Sequence, residues 1–204
     1  MSIVLLIACI VVVTLIDWIA VLRDWGRVEE VAKPLVMLLL LVVTLESLDG
    51  AQRTAVAAAV VFGLLGDVAL LNRIDAFIAG LGAFLVGHLL YVAGFAIEGL
   101  KPAPTAIGVV AAVVLVGALG RPIIAAVRHT PLHIPVAVYV VVIAAMVATS
   151  IGTTRWVAAA GGVMFALSDA LLGNDRFVTP RTDRRIVVMV LYHLGQFAIV
   201  GGLA

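Results

Sequence analysis

The sequence predicts an all-α, polytopic membrane helix bundle of about eight transmembrane helices, built as two tandem four-helix repeats of the same orientation. Three observations predict it. First, 64% of the 204 residues are hydrophobic and 12% charged, with a mean hydropathy of +1.26; a soluble globular domain runs at about 45–50% apolar and about 25% charged. Second, the apolar residues fall into eight runs separated by short linkers, each near the ~20 residues that cross a bilayer. Third, the chain echoes itself. Gly66-Asp67 in LLGDVALLNRIDAF parallels Ser168-Asp169 in ALSDALLGNDRF, each followed by a Leu-Leu pair and by Asp-x-Phe (Asp75 and Phe77; Asp175 and Phe177). Tyr91 lies 24 residues after Asp67 and Tyr192 lies 23 after Asp169. Residues 1–204 read as a single transmembrane domain, with repeat 1 at about 1–100 and repeat 2 at about 101–204.

The runs justify themselves in order. Run 3–22 follows Met1-Ser2 without a basic segment or an evident small-residue cleavage site, so it reads as a retained helix and not a cleaved signal peptide. Run 33–48 opens on Lys33-Pro34, and run 134–151 opens on Ile134-Pro135, 101 residues later; proline fits a first helical turn, where its missing N–H loses nothing. Run 54–72 carries Asp67 and run 156–173 carries Ser168-Asp169. Run 77–97 places Phe84, His88, Tyr91 and Phe95 on one face, at steps of four, three and four. Run 104–120 is short and the least distinct, and run 186–203 sets Met189, Tyr192 and Gln196 on one face with His193 turned off it.

Charge orients the bundle. Arg23, Arg27, Lys33, Arg73, Arg121, Arg128, Arg176, Arg181, Arg184 and Arg185 follow the odd-numbered runs, ten of the 13 Lys and Arg; Arg53, Lys101 and Arg155, the other three, follow the even ones. Cationic loops stay in the cytoplasm, so both termini are expected outside it, with the chain multi-pass in the plasma membrane. A net charge of +1 leaves no nucleic-acid footprint. The lone Cys9 excludes an internal disulfide and a cysteine-based metal cluster. His129 and His133 are broken by Pro131, and no Walker loop, G-x-S-x-G or H-E-x-x-H is present, so no metal and no cofactor is expected.

An ionisable side chain in an apolar run is costly and is a functional-site hypothesis by default. Asp67 and Asp169 each sit about four residues, or ~6 Å, from the cytoplasmic end of a helix. A helix C-terminus disfavours negative charge and so does desolvation; a carboxyl there suits a general acid. The plainer reading is a pair of interfacial carboxylates bound to Arg73 or Arg176, and equivalence between repeats counts against it. His88 either bonds a neighbour or serves a site; Gln196 either glues helices or does the same. Tyr139, and Lys33 at the mouth of its helix, complete the candidates; Lys33 snorkels to the interface or holds a lipid phosphate. The expected site is one polar cluster made by both repeats, opening toward the cytoplasmic face.

Lys33-Pro34, Gly66-Asp67, Gly87-His88 with Tyr91, Phe165-x-x-Ser168-Asp169, and Tyr192 with Gln196 together resemble the lysoplasmalogenase family, the YhhN-type membrane proteins. The resemblance covers most of the chain and rests on order and spacing. It implies eight helices and hydrolysis of the vinyl ether of an alkenyl-glycerophosphocholine or -glycerophosphoethanolamine, giving a fatty aldehyde and the glycerophospho-alcohol. The family's paired carboxyls carry over onto Asp67 and Asp169; Lys33, His88, Tyr91, Tyr139, Ser168, Tyr192 and Gln196 are the expected substrate-binding residues. The partners implied are a lysophospholipid substrate and membrane lipids, with no nucleic acid; no sequence feature defines an oligomeric state. Two other classes stay open: a small-molecule or lipid transporter with a polar site at the repeat interface, and a lipid-binding membrane protein.

Overall fold

The computed structural model describes residues 3–71, 73–74 and 76–204. Asp75, part of the sequence echo, and Met1-Ser2, the start of the first run, lie outside the described residues. Among these residues the chain is helical and has no strand. Eight helices follow one another: α1 Ile3–Leu22, α2 Gly26–Ser47, α3 Gly50–Ala69, α4 Phe77–Glu98, α5 Pro102–Ala126, α6 His133–Gly152, α7 Trp156–Phe177 and α8 Arg185–Leu203. Seven are long and apolar enough to cross a membrane; α2 has the length, and its Glu29, Glu30, Lys33 and Glu46 separate it from the rest.

Three boundaries correct the sequence reading. α2 starts at Gly26, so Lys33 is no longer at a helix mouth and Pro34 lies inside the helix. The proline removes one backbone donor, an irregularity that membrane helices tolerate when neighbouring helices cover it. α5 is not short. Its regular part, Pro102–Leu115, passes through a π-helical turn at Val116–Gly120 and resumes at Arg121–Ala126. Pro122 stands in the first turn after that wide turn, where its missing N–H costs little. The run that reads as ending at 120 therefore continues through an irregular turn. α7 runs on to Phe177. Pro135 does open α6 as expected.

The chain divides into two compact units, Met1–Gly94 with Ala204, and Phe95–Leu203. In the first, α2 packs against α1 and α3. α3 meets α4 closely enough that a Cβ on Gly66 would sit 2.6 Å from the Phe84 ring, and one on Gly87 would sit 3.3 Å from the Ala59 carbonyl. Small residues let membrane helices approach and gain dispersion contacts that lipid cannot supply. In the second unit the same device joins two pairs. A Cβ on Gly108 would meet the Ala148 carbonyl of α6 at 2.5 Å, and one on Gly161 would meet the Ile199 amide of α8 at 2.6 Å. Ala112, Val147, Ala148 and Ala166 form the buried cluster between α5, α6 and α7. At one end, Arg155 Nε donates to Glu98 Oε1 at 2.7 Å, and the Lys101 amide donates to the Gly152 carbonyl at 2.9 Å.

Candidate active site

In the first unit, α2 and α3 bring Lys33 and Asp67 together. Lys33 Nζ lies 3.2 Å from Asp67 Oδ1, with the side chains 9% and 2% exposed. This replaces the snorkelling expectation: the ammonium is buried against a carboxylate. Asp67 is two residues from the end of α3 at Ala69, inside the last turn, where the helix dipole opposes its charge. The ammonium offsets that opposition. Each ion costs several kcal/mol to desolvate, so removing one partner of such a pair typically costs about 3–5 kcal/mol. On α4, Phe84, His88, Tyr91 and Phe95 are all buried, as one face requires. His88 Nδ1 donates to the Phe84 carbonyl of its own helix.

In the second unit, α6 and α7 bring Tyr139 and Asp169 together, and the Tyr139 hydroxyl donates to Asp169 Oδ2 at 2.7 Å. Asp169 is eight residues before the end of α7 at Phe177, about 12 Å of helix. The expectation of four residues fails for both carboxyls, and in opposite directions. The C-terminal dipole acts on Asp67 but has faded at Asp169, because it reaches only about one turn. Ser168 Oγ donates to the Val188 carbonyl of α8 at 2.9 Å, so it ties α7 to α8. On α8, Gln196 Nε2 donates to the Tyr192 hydroxyl at 3.3 Å, and Phe165 of α7 meets the Tyr192 ring edge-on at a centroid distance of 5.2 Å.

Sequence reasoning passed over three buried ionisable residues. Asp17 of α1 and His193 of α8 are 0% exposed, and Glu29 of α2 is 9% exposed. Asp17 broke the rule already applied to Asp67, an acid inside an apolar run, and that rule would have found it. His193 was set aside for pointing off one face, yet α8 buries more than one face: Met189, Tyr192, His193, Gly195 and Gln196 are all covered.

A cavity of about 390 Å³ opens in the second unit, lined by Ala118, Leu119 and Pro122 at the π-helical turn, by Leu167, Ala170, Leu171 and Asn174 of α7, and by Arg184 and Leu191. The α7 lining follows the i, i+3, i+4, i+7 stripe of one helix face, and Asp169 falls off that stripe. The cavity is thus not the surroundings of the Asp169 carboxyl. In the loop after α7, Arg181 donates to Asp183 at 2.7 Å, and this bond holds the exposed Asp183 carboxyl below its usual range. Among the described residues no three His, Cys, Asp or Glu gather as a metal site.

Helices that are long and apolar enough to span a bilayer, with ionisable side chains buried among them, define a multi-pass membrane protein. The particular family follows from comparison: the YhhN family's sequence model matches residues 28–203, and the chain belongs to that family. It is 28% identical over 154 residues to human lysoplasmalogenase TMEM86B, covering 74% of this chain and 64% of the relative. It is 30% identical over 166 residues to the pig protein of that name, covering 78% and 68%. It is 32% identical over 133 residues to the lysoplasmalogenase of Mycobacterium tuberculosis, covering 62% and 51%. The chain thus spans between half and about two thirds of the length of these relatives. No solved structure matches it.

Proposed function

We propose that this chain is a membrane hydrolase that cleaves the vinyl ether of a lysoplasmalogen to a fatty aldehyde and a glycerophospho-alcohol. Relatives named lysoplasmalogenase support the activity. The observation that carries the residue assignment is that each of two carboxyls, Asp67 and Asp169, is held within membrane-spanning helices by a partner on the preceding helix. The chemistry needs two such groups. A carboxylic acid protonates the outer alkene carbon and leaves an oxocarbenium ion. A carboxylate stabilises that ion and takes a proton from the water that adds to it. The hemiacetal then collapses to aldehyde and alcohol. Carboxyls whose environments differ are suited to divide such roles.

His88, Tyr91, Tyr192 and Gln196 supply the polar and aromatic lining for the lysophospholipid. Ser168 is the candidate whose hydroxyl already has a backbone partner in α8. The head group is placed at the basic ends of the helices, on the cytoplasmic side of the plasma membrane. The test is purified protein in detergent micelles given an alkenyl lysophospholipid. Aldehyde release without a membrane gradient is the expected result. Fatty-acid release from an ester lysolipid, with none of the aldehyde, would assign another enzyme class.

A further inference from the structure

The cavity in the second unit is polar at one end and apolar at the other. Seven of its nine lining residues carry only hydrocarbon, and the other two are Asn174 and Arg184. Gly161 approaches Ile199 and Ser168 bonds Val188, so α7 and α8 run antiparallel. That register sets Asn174 level with Arg184 and Leu167 level with Leu191, seven residues or ~10 Å further along α7. Ala118 and Leu119 of the other wall stand in the π-helical turn of α5, an irregularity often found at functional sites. The Arg184 guanidinium is not used up within the unit. Its Nη1 stands 3.6 Å from Asp175 Oδ1, beyond hydrogen-bond reach, and that buried oxygen has no hydrogen-bond partner. Among the described residues no hydrogen bond takes any of the five N–H donors of Arg184. Arg181 of the same loop, by contrast, is answered by both oxygens of Asp183 at 3.0 and 2.7 Å. Arg121, Arg128, Arg176, Arg181, Arg184 and Arg185 outnumber Asp175 and Asp183 over this part of the chain, a balance that draws anions.

We propose that this cavity binds a single-chain lipid with an anionic head, the head on Arg184 and Asn174 and the chain along Leu171, Leu167 and Leu191. The gradient from polar to apolar lining is that of an amphiphile laid lengthwise. The guanidinium fork matches a carboxylate or a phosphate in two parallel bonds, and the Asn174 amide adds a donor beside it. The floor is one stripe of α7 between two walls, which gives room for one alkyl chain and not two. A mostly apolar cavity of about 390 Å³ with a few convergent polar groups has the form of a small-molecule site. Asp169 falls off the stripe that lines the cavity, so this site goes beyond the hydrolase reading and does not depend on it. A fatty-acid carboxylate and a lysophospholipid phosphate share the chemistry that Arg184 selects.

The experiment uses the full chain in nanodiscs of diacyl phosphatidylcholine and lipid probes with a photoreactive diazirine in the chain. The probes are a fatty acid, a lysophospholipid with an uncleavable alkyl ether chain, a long-chain alcohol and a diacyl phospholipid, and mass spectrometry locates the labelled residues. The fatty acid, the lysophospholipid or both are expected to label the stretch Leu167 to Leu171 and Leu191. Labelling by the first alone assigns a carboxylate head and by the second alone a phosphate; labelling by neither overturns the proposal. Arg184→Gln is expected to lower that labelling about tenfold, the worth of a lost charge-assisted hydrogen bond, with Arg184→Lys recovering part of it. Ala170→Phe, which fills the cavity, is expected to abolish it, and Asp169→Asn to leave it unchanged. Arg184 precedes α8 and stands outside the helices, so its variants read the head contact even where Ala170→Phe fails to fold. Equal labelling by the alcohol, or labelling indifferent to Arg184→Gln, would show that the head charge is not recognised and overturn the proposal. Equal labelling by the diacyl probe would make the cavity a gap filled by bulk lipid, and loss of labelling in Asp169→Asn would merge it with the carboxyl site; either result contradicts the proposal. The aldehyde assay tests the hydrolase reading separately, so the two can fail independently.

Discussion

Asp67 and Asp169 repay attention one at a time, because the same residue type meets different physics at its two positions. Asp67 lies in the last turn of α3, opposed by the helix dipole and answered by Lys33. Asp169 lies two turns inside α7 and is answered by Tyr139. Asp67→Asn and Asp169→Asn are each expected to lower turnover by about 10²–10⁴-fold, the usual cost of a lost acid or base, as measured by aldehyde release. Their stabilities should diverge. Asp67→Asn leaves the Lys33 charge buried and is expected to cost about 3–5 kcal/mol. Asp169→Asn keeps an acceptor for the Tyr139 phenol and should melt within a few degrees of wild type. A scan of detergent-solubilised protein checks this. The sequence made the two acids legible, because a charge inside an apolar run stands out. It did not make their partners legible. Lys33 looked like an interfacial cation only because α2 was started seven residues late, at 33 in place of Gly26. Tyr139 carries no charge, so nothing in a hydrophobic run separates it from a packing aromatic.

At the scale of helices, apolar length located all eight, and irregular backbone hid their ends. Pro34 reads as a helix start from its missing N–H, yet it lies inside α2, and the run that reads as ending at 120 continues through a π-helical turn within α5. Whether a neighbouring helix covers such an irregularity is tertiary information. Small residues show the same limit. Gly161 and Gly82 look alike in the sequence, but a Cβ on Gly161 would meet the Ile199 amide at 2.6 Å while one on Gly82 would meet nothing within 4 Å. Gly161→Ala is expected to push α7 from α8 and cost about 1–3 kcal/mol, the usual effect of overpacking. Gly82→Ala, in the interior of α4, should gain up to about 1 kcal/mol from helix propensity. Opposite shifts in melting temperature check the pair, and equal shifts would contradict the packing of α7 on α8.

For the whole molecule, composition settled the class: a chain of mean hydropathy +1.26 has no soluble core to build. Orientation is the further step. Lys33 belongs inside α2 and leaves the loop count, yet nine cations against three still favour one side. The count assumes that α2 crosses despite its charges, and its position against α1 and α3 lets protein, not lipid, cover Lys33. Reporter fusions are expected to place Thr182 in the cytoplasm and Ala204 outside it; a cytoplasmic Ala204 would remove one crossing. The duplicated architecture is a proposal supported by the parallel placement of each carboxyl against the preceding helix. The claim on which the rest depends is that a positioned carboxyl protonates carbon. Turnover of an alkenyl lysophospholipid in D₂O, with the aldehyde reduced at once to its alcohol, tests that claim directly. One deuterium is expected on the carbon beside the former aldehyde, in a single configuration, because a fixed acid reaches one face of the alkene. An aldehyde without that deuterium, or with it in both configurations equally, would contradict a positioned acid.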